Sequence, residues 1–383
     1  MGIRLGDILR AGALALAGLL AAVGCEGMSE DELQRALAEA GGESDGVVAM
    51  PVASVSPECE QLAALPSQQG NLAGLLQSAR VTEDGSGEFV PPSPDQLTAF
   101  QTAFESLLRD GPSAVVVQAL SDIGFGVRGF ADDPTNTFWL LIEDNTPGRG
   151  GGTFVINPAA SREAWLEVPH PDSDLGTLEQ GAQQVVQLGA RALLISGAHR
   201  CAAEAAAGCD GTTAKCGGVL RVSDAAHSER SYFMAAHKAL RAVSPNGLAV
   251  NLHGMESSGV EAAVVSDGTR RDNPNAAANS LRDALNQRLT GERRAFSCND
   301  PADTGYRELC GTTNVQGRFD NGSPDACGAP ATSSTGRFIH LEQDSNLRGG
   351  DVALVTQALA DILPCDAGGQ GGLGCTAPTP LCQ

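Results

Sequence analysis

The feature that most constrains the fold is a regular alternation of strand-like and helix-like segments between residues 165 and 363. Short apolar runs rich in strand formers alternate with stretches whose apolar residues recur at helical spacing. The predicted strands cover 165–168, 192–196, 248–252, 262–265 and 338–342, and the predicted helices cover 178–188, 228–243, 275–289 and 351–363. This order predicts an α/β domain with a mostly parallel or mixed sheet and helices on both faces.

A short helical and β-meander segment precedes the alternating region. Helices are predicted over 93–110 and 113–123, and strands over 126–130, 137–143 and 153–156. The glycine run at 148–152 lacks the Lys-Ser/Thr pair of a phosphate cradle and is followed by a strand pattern, so it predicts a hairpin loop. We therefore expect one domain over 93–365, with its polar site region within 165–350.

The N-terminus has the pattern of an export signal. Arg4 and Arg10 precede an apolar run that ends at Cys25, and this run is shorter than the about 20 residues that a membrane span needs. The stretch 22–25, Ala-Val-Gly-Cys, resembles the cleavage box of bacterial lipoproteins. The resemblance implies removal of residues 1–24, lipidation of Cys25 and anchoring to the cell envelope, at the outer membrane or cell surface, with ordinary secretion as the alternative.

The segments at the two ends of the mature chain are rich in residues that do not build a core. Residues 25–92 are Ser, Gly, Glu and Pro rich and predict a tether with a loosely ordered N-terminal piece. Residues 366–383 form a Gly- and Cys-rich tail.

Cysteine usage and charge restrict the compartment and the partners. Of eleven cysteines, ten remain besides Cys25, and none of them forms a C-x-x-C pair. In an exported chain this predicts disulfides rather than a zinc finger, with local staples in two loops. These loops contain Cys201, Cys209 and Cys216, and Cys298, Cys310 and Cys327. The formal charge of −21 disfavours nucleic acid and anionic membrane surfaces, which leaves the lipid anchor as the only membrane contact.

All six histidines lie between residues 170 and 340, and four of them fall at or just after predicted strands. His170 follows the first strand of the alternating region, and Asp174 lies four residues further on. In an irregular loop this spacing lets both side chains converge on one ion, and zinc accepts both at about 2.0–2.2 Å. Asp172 and Glu167 compete with Asp174 for the acidic position. The alternative is that a histidine capped by an acid only orders the loop.

His253 and Glu342 are the next candidates, because each lies near the end of a predicted strand. Period-2 alternation places Asn251 and His253 on one face of their strand, and His340 and Glu342 on one face of theirs. We predict His253 as the third metal ligand and Glu342 as a general base acting on water. Hydrogen-bonded or exposed strand residues would explain the same patterns.

Other polar residues near strand ends predict substrate contacts. Arg200 can hold a substrate carboxylate or an oxyanion, and His199 is a reserve metal ligand or a substrate contact. His227 follows Asp224 at a predicted helix start and is a candidate substrate residue. Asn346 and Arg348 follow Glu342 closely and are further candidates. His237 lies inside a predicted helix and is interpreted as structural.

Taken together, these residues resemble the N-formylglutamate amidohydrolase group and, more distantly, zinc carboxypeptidase-like hydrolases. The resemblance covers about 165 to 350 and uses His170 with Asp174, Leu252-His253-Gly254, and a final strand ending in Glu342. It implies zinc ligation by His170, Asp174 and His253, with Glu342 as base and Arg200 as substrate anchor. The carboxypeptidase motif is H-x-x-E, whereas this chain has H-x-x-x-D.

The sequence therefore predicts a zinc-dependent hydrolase of an amide, amidase or peptidase-like, at the cell envelope. Its expected substrate is a small molecule or peptide with a carboxylate. The competing hypothesis is a non-catalytic surface lipoprotein that uses a hydrolase-like fold for binding, and the long cysteine-containing loops favour it because they can cover a cleft. Dispersed side chains at positions 170, 253 and 342 would support that second hypothesis.

Overall fold

The computed structural model describes residues 61–62, 64–257, 259–303, 308–365 and 375. The predicted signal peptide, Cys25, most of the predicted tether and most of the tail lie outside these residues. The described chain from Leu65 onward belongs to one unit by its contacts. In these described parts, no helix combines the length and the apolarity that crossing a membrane requires.

A ten-stranded sheet forms the middle of this unit. Its strands are β1 (Ser67–Gly70), β2 (Phe125–Asp132), β3 (Thr137–Asp144), β4 (Thr153–Ile156), β5 (Arg162–Val168), β6 (Ala190–Ile195), β7 (Leu248–Gly254), β8 (Glu261–Ser266), β9 (Arg294–Ser297) and β10 (Phe338–Gln343). They are ordered β1-β2-β3-β4-β6-β5-β7-β10-β8-β9. The central strands β6, β5, β7 and β10 are parallel, whereas β2, β3 and β4 form an antiparallel meander and β8 runs antiparallel to β10. The predicted mixed, mostly parallel α/β sheet is confirmed.

Helices cover both faces of this sheet. They are α1 (Leu72–Leu76), α2 (Pro94–Asp110), α3 (Ala114–Asp122), α4 (Thr177–Leu188), α5 (Tyr232–Val243), α6 (Ala277–Asn286), α7 (Val315–Asp320) and α8 (Val352–Ile362). Residues of α1, α4, α6 and α8 share one buried cluster with Leu166 and Val168 of β5. On the opposite face, Phe100 of α2 stacks near Phe154 of β4 and Tyr232 of α5.

Strand alternation separates an apolar face from a polar one in the central sheet. In β5, Leu166 and Val168 enter the large apolar cluster, while Glu167 points to the α5 side and lies 2.6 Å from Nδ1 of His237. Asn251 of β7 donates to the same Glu167 at 2.8 Å. The sheet therefore buries a layer of polar side chains beneath α5, and each of these side chains needs a partner.

Three segments differ from the sequence prediction. β1 lies within 25–92, where a tether and a loosely ordered piece were predicted, and it pairs with β2 through main-chain bonds that its polar sequence did not reveal. α1 lies in the same segment, where the sequence has a short helical pattern over 72–79, and its Leu72 and Leu76 are buried. β9 and α7 lie in what was predicted as one long cysteine loop, because both are too short to show a period. α5 begins at Tyr232 with Ser231 as its N-cap, four residues after the predicted start.

Four disulfides join cysteines in the described part of the chain. Two are local within the predicted loops, Cys201–Cys216 and Cys298–Cys310, and a third, Cys365–Cys375, lies at the start of the tail. The fourth, Cys209–Cys327, spans 118 residues and joins the two cysteine loops to each other, which the sequence did not predict. This set of disulfides is typical of an oxidising compartment outside the cytoplasm. Cys59 and Cys382 lie outside the described residues.

Candidate metal centre

The carboxyl ends of β5, β7 and β10 lie side by side, and this brings the predicted site residues together. β7 pairs in parallel with β5 on one side and with β10 on the other, and Glu342 is in register with His253. His170 follows β5 by two residues. Ligand sites in α/β sheets form at such strand ends, where loops place polar groups over a rigid platform.

His170, Asp174 and His253 form a buried triangle. Oδ2 of Asp174 lies 3.3 Å from Nδ1 of His170 and 3.1 Å from Nδ1 of His253. The loop after β5 makes this possible because the backbone N–H of Asp174 donates to the carbonyl of His170 at 2.9 Å, which turns the chain back on itself. The side chains of the three residues are 9% exposed or less. Two imidazole nitrogens and one carboxylate oxygen thus converge on one point.

Asp224 holds His170 from the other side. Its Oδ1 lies 2.8 Å from Nε2 of His170 and 3.0 Å from Nδ1 of His227. Its Oδ2 accepts hydrogen bonds from Nε and Nη2 of Arg200 at 3.1 and 2.8 Å. His170 therefore presents Nδ1 to Asp174 while Asp224 fixes its Nε2, which is the arrangement that commonly orients a metal-ligating histidine.

The electrostatics of the triangle suit a cation. Burial raises the pKa of the Asp174 carboxyl. The positive charge of His170 and the hydrogen bonds from His170 and His253 have a larger effect, and they hold this pKa below its usual range. Burial lowers the pKa of His253 to about 4. For His170, burial and Arg200 lower the pKa, but Asp224 and Asp174 outweigh them and raise it. An ionised Asp174 and a neutral His253 are ligands that zinc accepts, whereas His170 must release its proton to bind the ion.

Glu342 lies next to the triangle as a buried carboxyl. Burial and the neighbouring charge of Asp174 raise its pKa to about 8. Its Oε1 lies 3.9 Å from Nε2 of His340, which is beyond hydrogen-bond range. A carboxyl with a raised pKa beside a polar cluster is well suited to proton transfer near neutral pH.

The donor set supports a metal at the triangle, because two imidazoles and one carboxylate offer ligand atoms within 4.8 Å of one another. Nε2 of His253 is buried without a hydrogen-bond partner among the described residues, so Asp174 alone fixes this imidazole. His170, Asp224 and His227 form a second group with ligand spacing, but Asp224 already accepts two hydrogen bonds from the cationic Arg200. The positive charge of Arg200 favours a metal on the Asp174 side. The residues present therefore fit a zinc ion.

The competing acids are engaged elsewhere. Glu167 accepts from Nε1 of Trp165 at 3.0 Å and from Asn251, and it contacts His237 beneath α5. Asp172 is exposed on the loop after β5. Among the three acids considered from the sequence, Asp174 alone contacts both histidines.

The predicted substrate residues fall into two groups. Arg200 and His227 join the cluster through Asp224. His199 instead pairs with Asp84, with Nδ1 3.6 Å from Oδ1, and the nearby Cys201 is in a disulfide.

The two candidates after β10 also lie outside the cluster. Asn346 is exposed, while Arg348 donates to the carbonyls of Gln343 and Asp344 and of Leu175. Arg348 also packs against Gly254, where a Cβ would collide with its guanidinium. The space beside Gly254, at the end of β7, is thus filled by Arg348.

Asp224 is a cluster residue that the sequence did not single out. It was placed at a predicted helix start, but Ser231 caps α5 and Asp224 lies in the loop before it, where it contacts His170, His227 and Arg200. The available signal was the spacing of Asp224 and His227, together with Arg200 in the loop that follows β6.

Comparisons with known proteins give only distant likenesses. No protein-family model matches the sequence, and no curated protein matches it. A crystal structure of a putative carboxypeptidase from Burkholderia mallei ATCC 23344 is 13% identical, with a TM-score of 0.31, over 72% of this chain and 68% of that chain. A putative metallopeptidase from Shewanella amazonensis SB2B is 13% identical, with a TM-score of 0.27, over 64% of this chain and 90% of that chain. At these TM-scores the likeness does not assign a fold family.

Replacement of Asp224 by Asn tests how far it orients His170. The amide keeps the shape but removes the charge that balances Arg200 and holds His170 and His227. We expect the zinc affinity to fall by about 10–100-fold, as for other groups that orient a metal-binding histidine. Competition with a chromophoric chelator measures the change. Asp172→Asn, on the exposed part of the loop after β5, is the matched control, and an equal loss in both variants would contradict this role of Asp224.

Proposed function

We propose that this chain is a zinc-dependent hydrolase of an amide bond, amidase or peptidase-like. The observation that supports this most is the convergence of His170, Asp174 and His253 next to Glu342, a buried carboxyl without a hydrogen bond to any described residue. The competing hypothesis of a non-catalytic binding protein would be favoured by dispersed side chains at these positions. Their close approach supports the hydrolase.

Each residue has a role that follows from its contacts. Nδ1 of His170, Oδ2 of Asp174 and Nδ1 of His253 would hold the zinc ion, and Asp224 keeps His170 in the orientation that ligation needs. Bound zinc supplies Lewis-acid polarisation and makes a water molecule easier to deprotonate. Glu342 accepts the proton from the attacking water and returns it to the leaving amine, because its raised pKa suits transfer in both directions.

The substrate proposed is a small molecule or peptide with a carboxylate near the amide. Arg200 uses Nε and Nη2 for Asp224, and no described residue accepts a hydrogen bond from its Nη1. That edge of the guanidinium can take a substrate carboxylate or a developing oxyanion. His227, with a side chain 16% exposed, contacts the other oxygen of Asp224, Oδ1, and is the second proposed substrate contact.

The proposed location is the outside of the cell envelope, with Cys25 lipidated. The four disulfides support a compartment outside the cytoplasm. The anchor itself follows from the sequence around Cys25, which lies outside the described residues.

Zinc analysis of the purified chain tests the proposal. We expect close to one equivalent of zinc as isolated, and a sharp loss in His170→Ala and in His253→Ala, because each removes one of three ligands. His199→Ala is the matched control, since His199 pairs with Asp84 outside the triangle. Elemental analysis by mass spectrometry, with circular dichroism as a check of folding, gives the result. Wild-type protein that takes up no zinc would overturn the proposed function.

A further inference from the structure

A second set of possible ligand atoms lies next to the triangle of His170, Asp174 and His253 and takes no part in it. Nε2 of His253 and Nδ1 of His340 are both buried without a hydrogen-bond partner in the described part of the chain. Glu342 adjoins them, and the three residues are between 4% and 8% exposed. Three buried ligand groups without partners among the described residues are unusual, because burying a polar atom without a hydrogen bond is unfavourable.

These groups converge on one another. The rings of His253 and His340 are 4.5 Å apart between centroids, and one ligand atom from each of His253, His340 and Glu342 lies within 4.8 Å of the other two. The set contains two imidazoles and one carboxylate, which is the same donor chemistry as the triangle.

The surrounding chain holds His340 in place. Glu342 and His253 are partners in the parallel pairing of β7 with β10, so their separation is fixed by the sheet. Gly311 packs so closely on His340 that a Cβ there would lie 2.6 Å from its ring. The neighbouring Cys310 is fixed by its disulfide to Cys298. Gly311 therefore closes one side of the His340 ring.

We propose that His253, His340 and Glu342 form a second position for a divalent transition-metal ion such as zinc, next to the triangle. The proposal rests on the proposed function, since His253 would serve both positions, with Nδ1 in the triangle and Nε2 in the second position. Binding of a second ion through Nε2 would require His253 to release its remaining ring proton to solvent. Asp174, Asp224 and Glu342 supply carboxylate charge around the two ions, which offsets the repulsion between two cations.

The two positions differ in the metal concentration at which they are occupied. The second ion must displace a proton and enter beside an existing cation, so it binds at higher metal concentration than the first. It also occupies the lone pairs of Glu342, so proton transfer by Glu342 and occupancy of the second position exclude one another. The singly loaded chain is the form that the proposed hydrolysis requires.

Stoichiometry measured on the full mature chain tests this inference. The chain is stripped of metal, titrated with zinc or cobalt and examined by native mass spectrometry, with the cobalt absorption spectrum as a second readout. We expect two equivalents in the wild type at saturation and one in His340→Ala. His340→Gln, which preserves volume, should also bind one, and His199→Ala should keep two.

The outcomes separate the two proposals. A wild type that binds a single equivalent at saturation, as it would if buried water satisfied these atoms, would overturn the second position and leave the proposed function intact. Retention of two equivalents by both His340 variants would also overturn it. A wild type that binds none would overturn the proposed function as well.

Discussion

Glu342→Gln should retain zinc and lose hydrolysis by about 10²–10⁴-fold, the range typical of removing a general base. Gln is nearly isosteric with Glu and cannot accept a proton at this position. His170, Asp174 and His253 stay in place, so the triangle and its metal affinity should be unchanged. The loss should appear in kcat/KM and in kcat alike, because the proton is transferred only in the reacting complex.

The measurement pairs a zinc assay with hydrolysis of a panel of N-acylated amino acids, which carry an amide next to a carboxylate. Glu256→Gln is the matched control, since Glu256 is an exposed carboxylate shortly after β7. Full hydrolysis by Glu342→Gln would remove Glu342 from the mechanism. Loss of zinc from this variant at one equivalent would instead make Glu342 a ligand of the first ion.

His237→Gln should lower the free energy of unfolding by roughly 3–5 kcal/mol, the range for removing one partner of a buried ion pair. His237 is fully buried, with Nδ1 2.6 Å from Glu167 and Nε2 3.1 Å from Asp320. Arg241 also pairs with Asp320, with Nη2 2.6 Å from Oδ2, but Glu167 has no other cationic partner among the residues that the structure describes. Chemical denaturation of the metal-free chain measures the loss.

The same histidine makes stability depend on pH. Burial lowers the pKa of His237, but Asp320 and Glu167 outweigh it and raise the pKa from 6.5 to about 9. Because the folded chain holds this proton more tightly than the unfolded chain, the contribution is complete below pH 6.5 and is lost as the pH rises towards 9. The decline of wild-type stability across this range should be shallower in His237→Gln. His199→Gln is the control, and an unchanged slope in His237→Gln would contradict the assignment.

The sequence predicted the strand ends better than it predicted the loops between them. His170, His253 and Glu342 each follow or end a strand with clear apolar alternation, and parallel pairing of β5, β7 and β10 brings such ends together. Asp224 and Arg200 lie in the long loop between β6 and α5, where no period constrains the chain. Their meeting depends on tertiary packing, and a single sequence carries little signal for it.

The same distinction applies to the fold. The alternation of strands and helices was sufficient to predict an α/β sheet with helices on both faces. It could not place β1 at the sheet edge or β8 antiparallel to β10, because an edge strand of polar residues and a change of direction leave no mark on hydrophobic spacing. His237 was interpreted correctly as structural, since its helix places it against the polar face of β5.

The disulfide Cys209–Cys327 has a consequence for the covalent topology of the chain. It closes a ring of polypeptide that contains α5, β7, β8, α6, β9 and α7, whereas β5 and β10 lie outside this ring. A single backbone cut anywhere between the two cysteines opens the ring without producing a separate piece. A nicked molecule would migrate as one species until it is reduced, and its halves, one with His170 and the other with Glu342, would remain a single covalent unit.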